Sequence, residues 1–208
     1  MSQYFEIHPD SPQTRLIKQA VEIINKGGVV IYPTDSSYAI GCHLGDKKAM
    51  DKIRMIRQLD LEHDFTLVCR DLAEIAKYAV VDNMNYRLMK SLTPGPYTFI
   101  LPATREVPKR LLNPKRKTIG IRVPDNAVCT ALLAELDQPL MSSTLSLPNE
   151  EYPMTDPYQI RLKLENVVDL IIDAGYSGHE PTTVVSLIND PPEIIRQGLG
   201  SVDWLKKH

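Results

Sequence analysis

The chain has 208 residues, 24 Lys plus Arg against 26 Asp plus Glu, and a formal net charge of −2. That length predicts a single domain over 1–208. A 43% hydrophobic and 24% charged composition can build a real core, which excludes disorder, collagen-like repeats and a disulfide scaffold. Apolar runs such as Val29-Val30-Ile31-Tyr32 stop at four residues, so no membrane span is expected; a bilayer helix needs ~20. The N-terminus lacks the basic and apolar stretches of a signal peptide, which predicts a cytoplasmic protein.

Ser11 and Pro12 offer an N-cap and a first helical position. Leu16, Ile17, Ala20, Val21 and Ile24 then recur at helical spacing until Gly27-Gly28. A buried strand over 29–32 ends at Pro33. Asp46 caps a helix with Ala49, Ile53 and Ile56 on one face, and 65–69 reads as a strand. Asp71 and Asp82 cap two further helices, the second closing at Pro94-Gly95. Strands follow at 97–101, 118–123 and 140–144, with a helix over 126–136 between the last two. A Pro-rich loop over 147–157 leads to a helix at 158–164 and short strands at 168–172, 183–187 and 193–196. Such interleaving predicts an α/β fold, with helices covering a mostly buried sheet. Cys42, Cys69 and Cys129 are odd in number and sit in apolar segments, so buried, reduced thiols are expected. Metal-ligand spacings of the Cys-x-x-Cys or His-x-x-x-His type are absent, and no metal site is predicted.

Chemistry concentrates where strands end. Pro33-Thr34-Asp35-Ser36-Ser37 places hydroxyls after a buried strand, where ligands bind in α/β sheets; a Pro-Thr-Asp turn also serves as a plain turn. Arg54 and Arg57 share a helix face, and guanidinium forks suit phosphate or carboxylate oxygens, although such pairs also form solvated faces. Ser142-Ser143-Thr144 finishes another strand, an ordinary edge unless it faces the same crevice as Thr34. Arg196 meets a Gly-x-Gly turn read as flexible, which makes it a candidate anion contact. Neither a Ser-His-Asp order nor a Gly-x-x-x-x-Gly-Lys loop is present, and no catalytic nucleophile is assigned. A crevice of hydroxyls and arginines acts by binding anions and positioning reactants, which suits nucleotidyl or phosphoryl chemistry. Seven basic residues lie between Arg105 and Arg122 against Glu106 alone. This band is read either as a solvated loop or as a phosphate-binding surface for RNA through Lys109, Arg110, Lys115, Arg116 and Lys117.

Several segments together resemble the YrdC/YciO family, whose best-known members are threonylcarbamoyl-AMP synthases. They are the Gly-Gly-(apolar)-Pro-Thr-Asp-x-x-Tyr run at 27–38, an arginine-bearing helix before the strand at 65, Pro94-Gly95-Pro96-Tyr97-Thr98-Phe99-Ile100-Leu101, Ile119-Gly120-Ile121-Arg122-Val123-Pro124, and the Thr-Thr-Val-Val and Arg-Gln-Gly endings. Ile56-Arg57-Gln58-Leu59 and the run 65–72 resemble the YciO branch most. The resemblance implies a twisted mixed sheet with a large concave basic cavity. It also implies synthesis of threonylcarbamoyl-AMP and pyrophosphate from L-threonine, bicarbonate and ATP with Mg2+, feeding adenosine modification in transfer RNA. By the same likeness Thr34, His63, Arg122 and Thr182 contact the amino acid, and Arg57, Thr98, Thr144 and Arg196 contact ATP. Two positions depart from the family pattern. The lysine of its Lys-x-Arg motif is Met55, and Ser-x-Asn is Thr144-Leu145-Ser146. Arg54 lies one residue off, about 100° around a helix. Losing a cation that faces phosphate removes roughly 1.5–3 kcal/mol of contact, which implies a weakened or diverged synthase. A non-catalytic protein binding double-stranded or ribosomal RNA is the alternative.

Overall fold

A computed structural model describes residues 1–59, 65–112, 115 and 117–207. In chain order these form β1 (Gln3–Glu6), α1 (Thr14–Asn25), β2 (Val30–Tyr32), β3 (Ala39–His43), α2 (Lys47–Arg57), β4 (Thr66–Val68), α3 (Leu72–Tyr78) and α4 (Asn83–Leu92). The second half adds β5 (Tyr97–Pro102), β6 (Thr118–Arg122), α5 (Ala127–Leu136), β7 (Leu140–Thr144), α6 (Pro157–Leu164), β8 (Leu170–Asp173), β9 (Thr183–Ser186) and β10 (Glu193–Arg196). Asp46, Asp71, Asp82 and Asn126 each accept the amide three residues on, from Ala49, Glu74, Asn85 and Cys129; such caps contribute about 1 kcal/mol apiece. The predicted start of α1 is corrected. Ser11 and Pro12 lie outside the helix, because His8 Nδ1 accepts the amides of Asp10 and Ser11 in a turn of its own. Gln13 becomes the N-cap, its Oε1 accepting the His8 amide rather than capping the helix. Strands β1 and β3 were not predicted.

All ten strands join one mixed sheet in the order β1-β8-β2-β3-β7-β4-β6-β5-β9-β10. Neighbours in register share a face, and the face alternates along each strand. One face carries Ile31, Ile40, Met141, Leu67, Ile121, Phe99, Val185 and Ile171, packed with Ala49, Met50 and Ile53 of α2, Ile75 of α3, Met89 of α4 and Ile160 of α6. The opposite face is divided. Over the β1–β3 side, Val30, Tyr32, Ala39, Leu140, Leu170 and Ile172 are sealed by α1 (Ile17, Ala20, Val21, Ile24) and α5 (Val128, Leu132, Leu133, Leu136). Each such fully buried aliphatic contributes roughly 1.5–3 kcal/mol. Continuing across the same face, register brings up Ser142, Thr144, Thr66, Gly120, Arg122, Thr98 and Val184 instead. The apolar series stops where those two helices stop. All three cysteines are buried and unpaired, as expected, and burial raises the Cys42 thiol to about 12. Among the described residues, no helix is long and apolar enough to cross a membrane.

Candidate functional site

Over that second half of the face opens a cavity of about 540 Å³, within the range of small-ligand pockets. Its floor is the sheet itself, so the site is not confined to the strand ends where the hydroxyl clusters were read. Thr66, Thr118 and Thr98, Ser142 and Thr144, and Gly120 line it from β4, β6, β5 and β7. A Cβ at Gly120 would stand 3.4 Å from Thr66 Oγ1 and 3.5 Å from Thr98 Cγ2, so glycine there keeps the middle of the floor low. Thr98 and Thr182 hydroxyls bond each other at 2.8 Å, tying β5 to the segment before β9.

Three arginines line the cavity, in two different electrostatic situations. Arg122, at the end of β6, is 8% exposed and forms an ion pair with the equally buried Asp35. Asp35 Oδ2 also accepts the Asp125 amide at 2.9 Å, which fixes the pair, while Arg122 Nε has no hydrogen-bond partner among the described residues. Arg57, at the last turn of α2, donates from Nε to the Ser146 carbonyl at 2.9 Å and from Nη1 to the Ser143 hydroxyl. Arg196, on β10, donates from Nη2 to the Thr182 carbonyl at 2.9 Å. Neither Arg57 nor Arg196 has a carboxylate partner among the described residues, and burial pushes both guanidinium groups below their ordinary range. Arg57 is half-buried with only neutral partners among the described residues, so it has lost water and gained no counter-charge, the condition of a group waiting for an anion. Arg196 is exposed and keeps more of its hydration.

The turn after β2 is built around Thr34. Its hydroxyl donates to the Ser37 carbonyl at 2.6 Å and accepts the amides of Ser36 and Ser37 at 3.2 Å. The residue expected to touch the amino acid is thereby occupied in holding the turn. The Gly-x-Gly segment after Arg196 is not a flexible loop. A Cβ at Gly198 would lie 2.2 Å from the Pro181 carbonyl oxygen, so the chain passes too close for any side chain.

Thr34, Arg122, Thr182, Arg57, Thr98, Thr144 and Arg196, drawn from distant parts of the chain, all line this one cavity. His63 and Arg116 lie outside the described residues. Met55 is 75% exposed and does not line the cavity; Ser146 does. Arg54 is spent elsewhere, its guanidinium 5.2 Å over the Phe65 ring and bonded to Asp51. The basic band is not one surface: Arg122 points into the buried ion pair, while Lys109, Arg110, Lys115 and Lys117 are exposed, near the wall residue Leu111. Glu151, Tyr152, Pro153 and His179, unforeseen in the sequence, line the cavity from two loops. Thr66 and Thr118 were also missed, although alternation in 118–122 could have revealed the polar face.

The Sua5/YciO/YrdC family model, described as telomere recombination, matches residues 22–198. The chain is 57% identical over 202 residues to the uncharacterized protein YciO of Escherichia coli strain K12, covering 97% of this chain and 98% of that one. The crystal structure of E. coli YciO superposes with a TM-score of 0.93, with the same coverage of both chains. A threonylcarbamoyl-AMP synthase of Idiomarina loihiensis is 29% identical over 170 residues, 79% of this chain and 90% of its own. P. abyssi Sua5 complexed with L-threonine shares the fold, with a TM-score of 0.90 at 20% identity over 99% of this chain and 60% of that chain.

Proposed function

The chain belongs to the Sua5/YciO/YrdC family, and from that membership we propose that its cavity binds ATP beside a small amino acid, as a cytoplasmic protein of the threonylcarbamoyl-AMP synthase type. The observation that carries this is the pair Arg57, half-buried, and Arg196, on the exposed edge strand β10. Both line a cavity floored by hydroxyls, and both are without a carboxylate partner among the described residues. A polyphosphate supplies the missing counter-charge, and Thr98 and Thr144 add neutral donors to it. Arg122 and Thr182 receive the amino acid, with Thr34 holding the turn beside it. The Thr98–Thr182 hydrogen bond is then the seam between the two subsites. Relatives named for this synthesis, and a Sua5 structure holding L-threonine, support the choice of substrates.

In the reaction so proposed, the threonine amine and bicarbonate give a carbamate and water. A carbamate oxygen then attacks the α-phosphorus of ATP, and pyrophosphate leaves with the electrons of the broken P–O bond. Charge neutralisation by the arginines and alignment on the sheet provide the rate, as in other phosphoryl-centred displacements. Among the described residues, no group of three or more carboxylate, His or Cys side chains could hold a metal ion. Asp35 is committed to Arg122. In this reading Mg2+ arrives as an ion carried on the triphosphate.

Calorimetric titration with ATP and Mg2+, with and without threonine, tests the binding. Pyrophosphate release in bicarbonate tests the chemistry. Saturable ATP binding that strengthens with threonine is expected; absence of both binding and release overturns the reading. A second reading, RNA binding, draws on the exposed Lys109, Arg110, Lys115 and Lys117 near the cavity wall.

A further inference from the structure

Most of the cavity is hydroxyl, glycine and arginine, but one corner differs. Tyr152 and His179 come from separate loops, both line the cavity, and their rings meet edge to face with centroids 5.5 Å apart and planes at 82°. Pro153 and Pro181 line the same part. The two loops are tied together by the Ser177 amide, which donates to the Thr155 carbonyl at 3.1 Å. The later loop is anchored in turn by Tyr38, whose hydroxyl donates to the Gly175 carbonyl at 2.7 Å.

The pair is not core packing, since Tyr152 is 57% exposed and His179 is exposed as well. An aromatic ring left half in water on a cavity wall has a free π-face. Two rings at a right angle form a corner with two walls, so a planar heterocycle stacked on one presents its edge to the other. Glu151, beside Tyr152 in the chain, adds a carboxylate to the lining. The aromatic pair thus differs from the rest of the lining, offering π-surface to an uncharged ring where the arginines offer charge to phosphate.

We propose that Tyr152, backed by His179, is the stacking platform for the nucleotide base and sets a preference for purines. This rests on the nucleotide reading of the cavity and deepens it. Purines offer a larger π-surface than pyrimidines, and base–aromatic stacking accounts for about 5- to 100-fold in affinity per base.

The test is titration of wild type, Tyr152→Leu and Tyr152→Phe with MgATP, MgCTP and inorganic tripolyphosphate. Because Tyr152 is exposed, neither substitution threatens the fold. Tyr152→Leu is expected to weaken ATP about 10-fold and to erase the ATP-over-CTP preference, with tripolyphosphate affinity unchanged and Tyr152→Phe close to wild type. Wild-type ATP binding that Tyr152→Leu leaves intact overturns this inference alone. Equal losses for ATP and tripolyphosphate also overturn it, since they mark a merely structural residue. Wild type binding neither ATP nor tripolyphosphate overturns the nucleotide reading and this inference with it.

Discussion

Arg122 and Arg57 line the same cavity, yet burial has been resolved in opposite ways. At the floor, Arg122 faces Asp35, and the carboxylate is itself held by the Asp125 amide. At the wall, among the described residues, Arg57 faces the Ser146 carbonyl and the Ser143 hydroxyl. A paired buried charge is held by the fold and offers a ligand only its spare donors, as Arg122 Nε does; an unpaired one has its whole charge to give. The largest effect should therefore follow from breaking the pair. Arg122→Met leaves Asp35 buried without a counter-charge and should cost about 3–5 kcal/mol in urea denaturation, while adding Asp35→Asn should recover most of it. A single variant as stable as wild type would show that the pair holds nothing.

Truncating the unpaired arginines reverses the pattern. Arg57→Ala removes a half-buried cation and Arg196→Ala an exposed one, so stability should change little in either. Affinity for MgATP should fall by roughly 10- to 150-fold each, the range for a charge-assisted contact. Calorimetry and denaturation on the same preparations separate the two quantities. Loss of stability with unchanged ATP affinity would place Arg57 with Arg122, as a part of the scaffold.

The divided sheet face explains what was legible in the sequence. Helices α1, α2 and α5 announce themselves because an apolar stripe seals each against the sheet, and the capping residues mark three of the starts from α2 to α4 and that of α5. Strands β1 and β3 were hidden. β1 pairs in parallel with β8, from Gln3↔Leu170 onward, a contact that no local pattern carries. β3 contains Gly41, where a Cβ would stand 2.9 Å from the Met141 carbonyl oxygen, so close strand approach is signalled by a residue that reads as a strand breaker. Within the site, residues in recognisable motifs were found and converge. Tyr152 and His179 were not, because a loop aromatic gains its meaning from a partner 27 positions away.

The exposed basic segment offers a smaller effect and a sharper contrast with the cavity. Lys109→Glu with Arg110→Glu should weaken binding of a 20-base-pair RNA duplex by about 10-fold and lower the salt dependence by one or two phosphate contacts. MgATP affinity should stay as in wild type, since neither residue lines the cavity. Fluorescence anisotropy across a salt series decides it; unchanged RNA affinity ends the RNA reading of this segment.

The smallest effect is expected at Met55, the position where sequence comparison points to a lost cation. It stands two positions before Arg57, which is about 200° around a helix, so when Arg57 reaches the cavity Met55 is turned away. Met55 is accordingly 75% exposed, and a lysine there would keep its hydration and be screened by solvent and salt. Met55→Lys should change MgATP affinity less than about two-fold, within the range of exposed charges. A ten-fold gain would mean that the last turn of α2 rearranges when nucleotide binds, bringing this side chain round to the phosphates and ending the simple division between a paired floor and an unpaired wall.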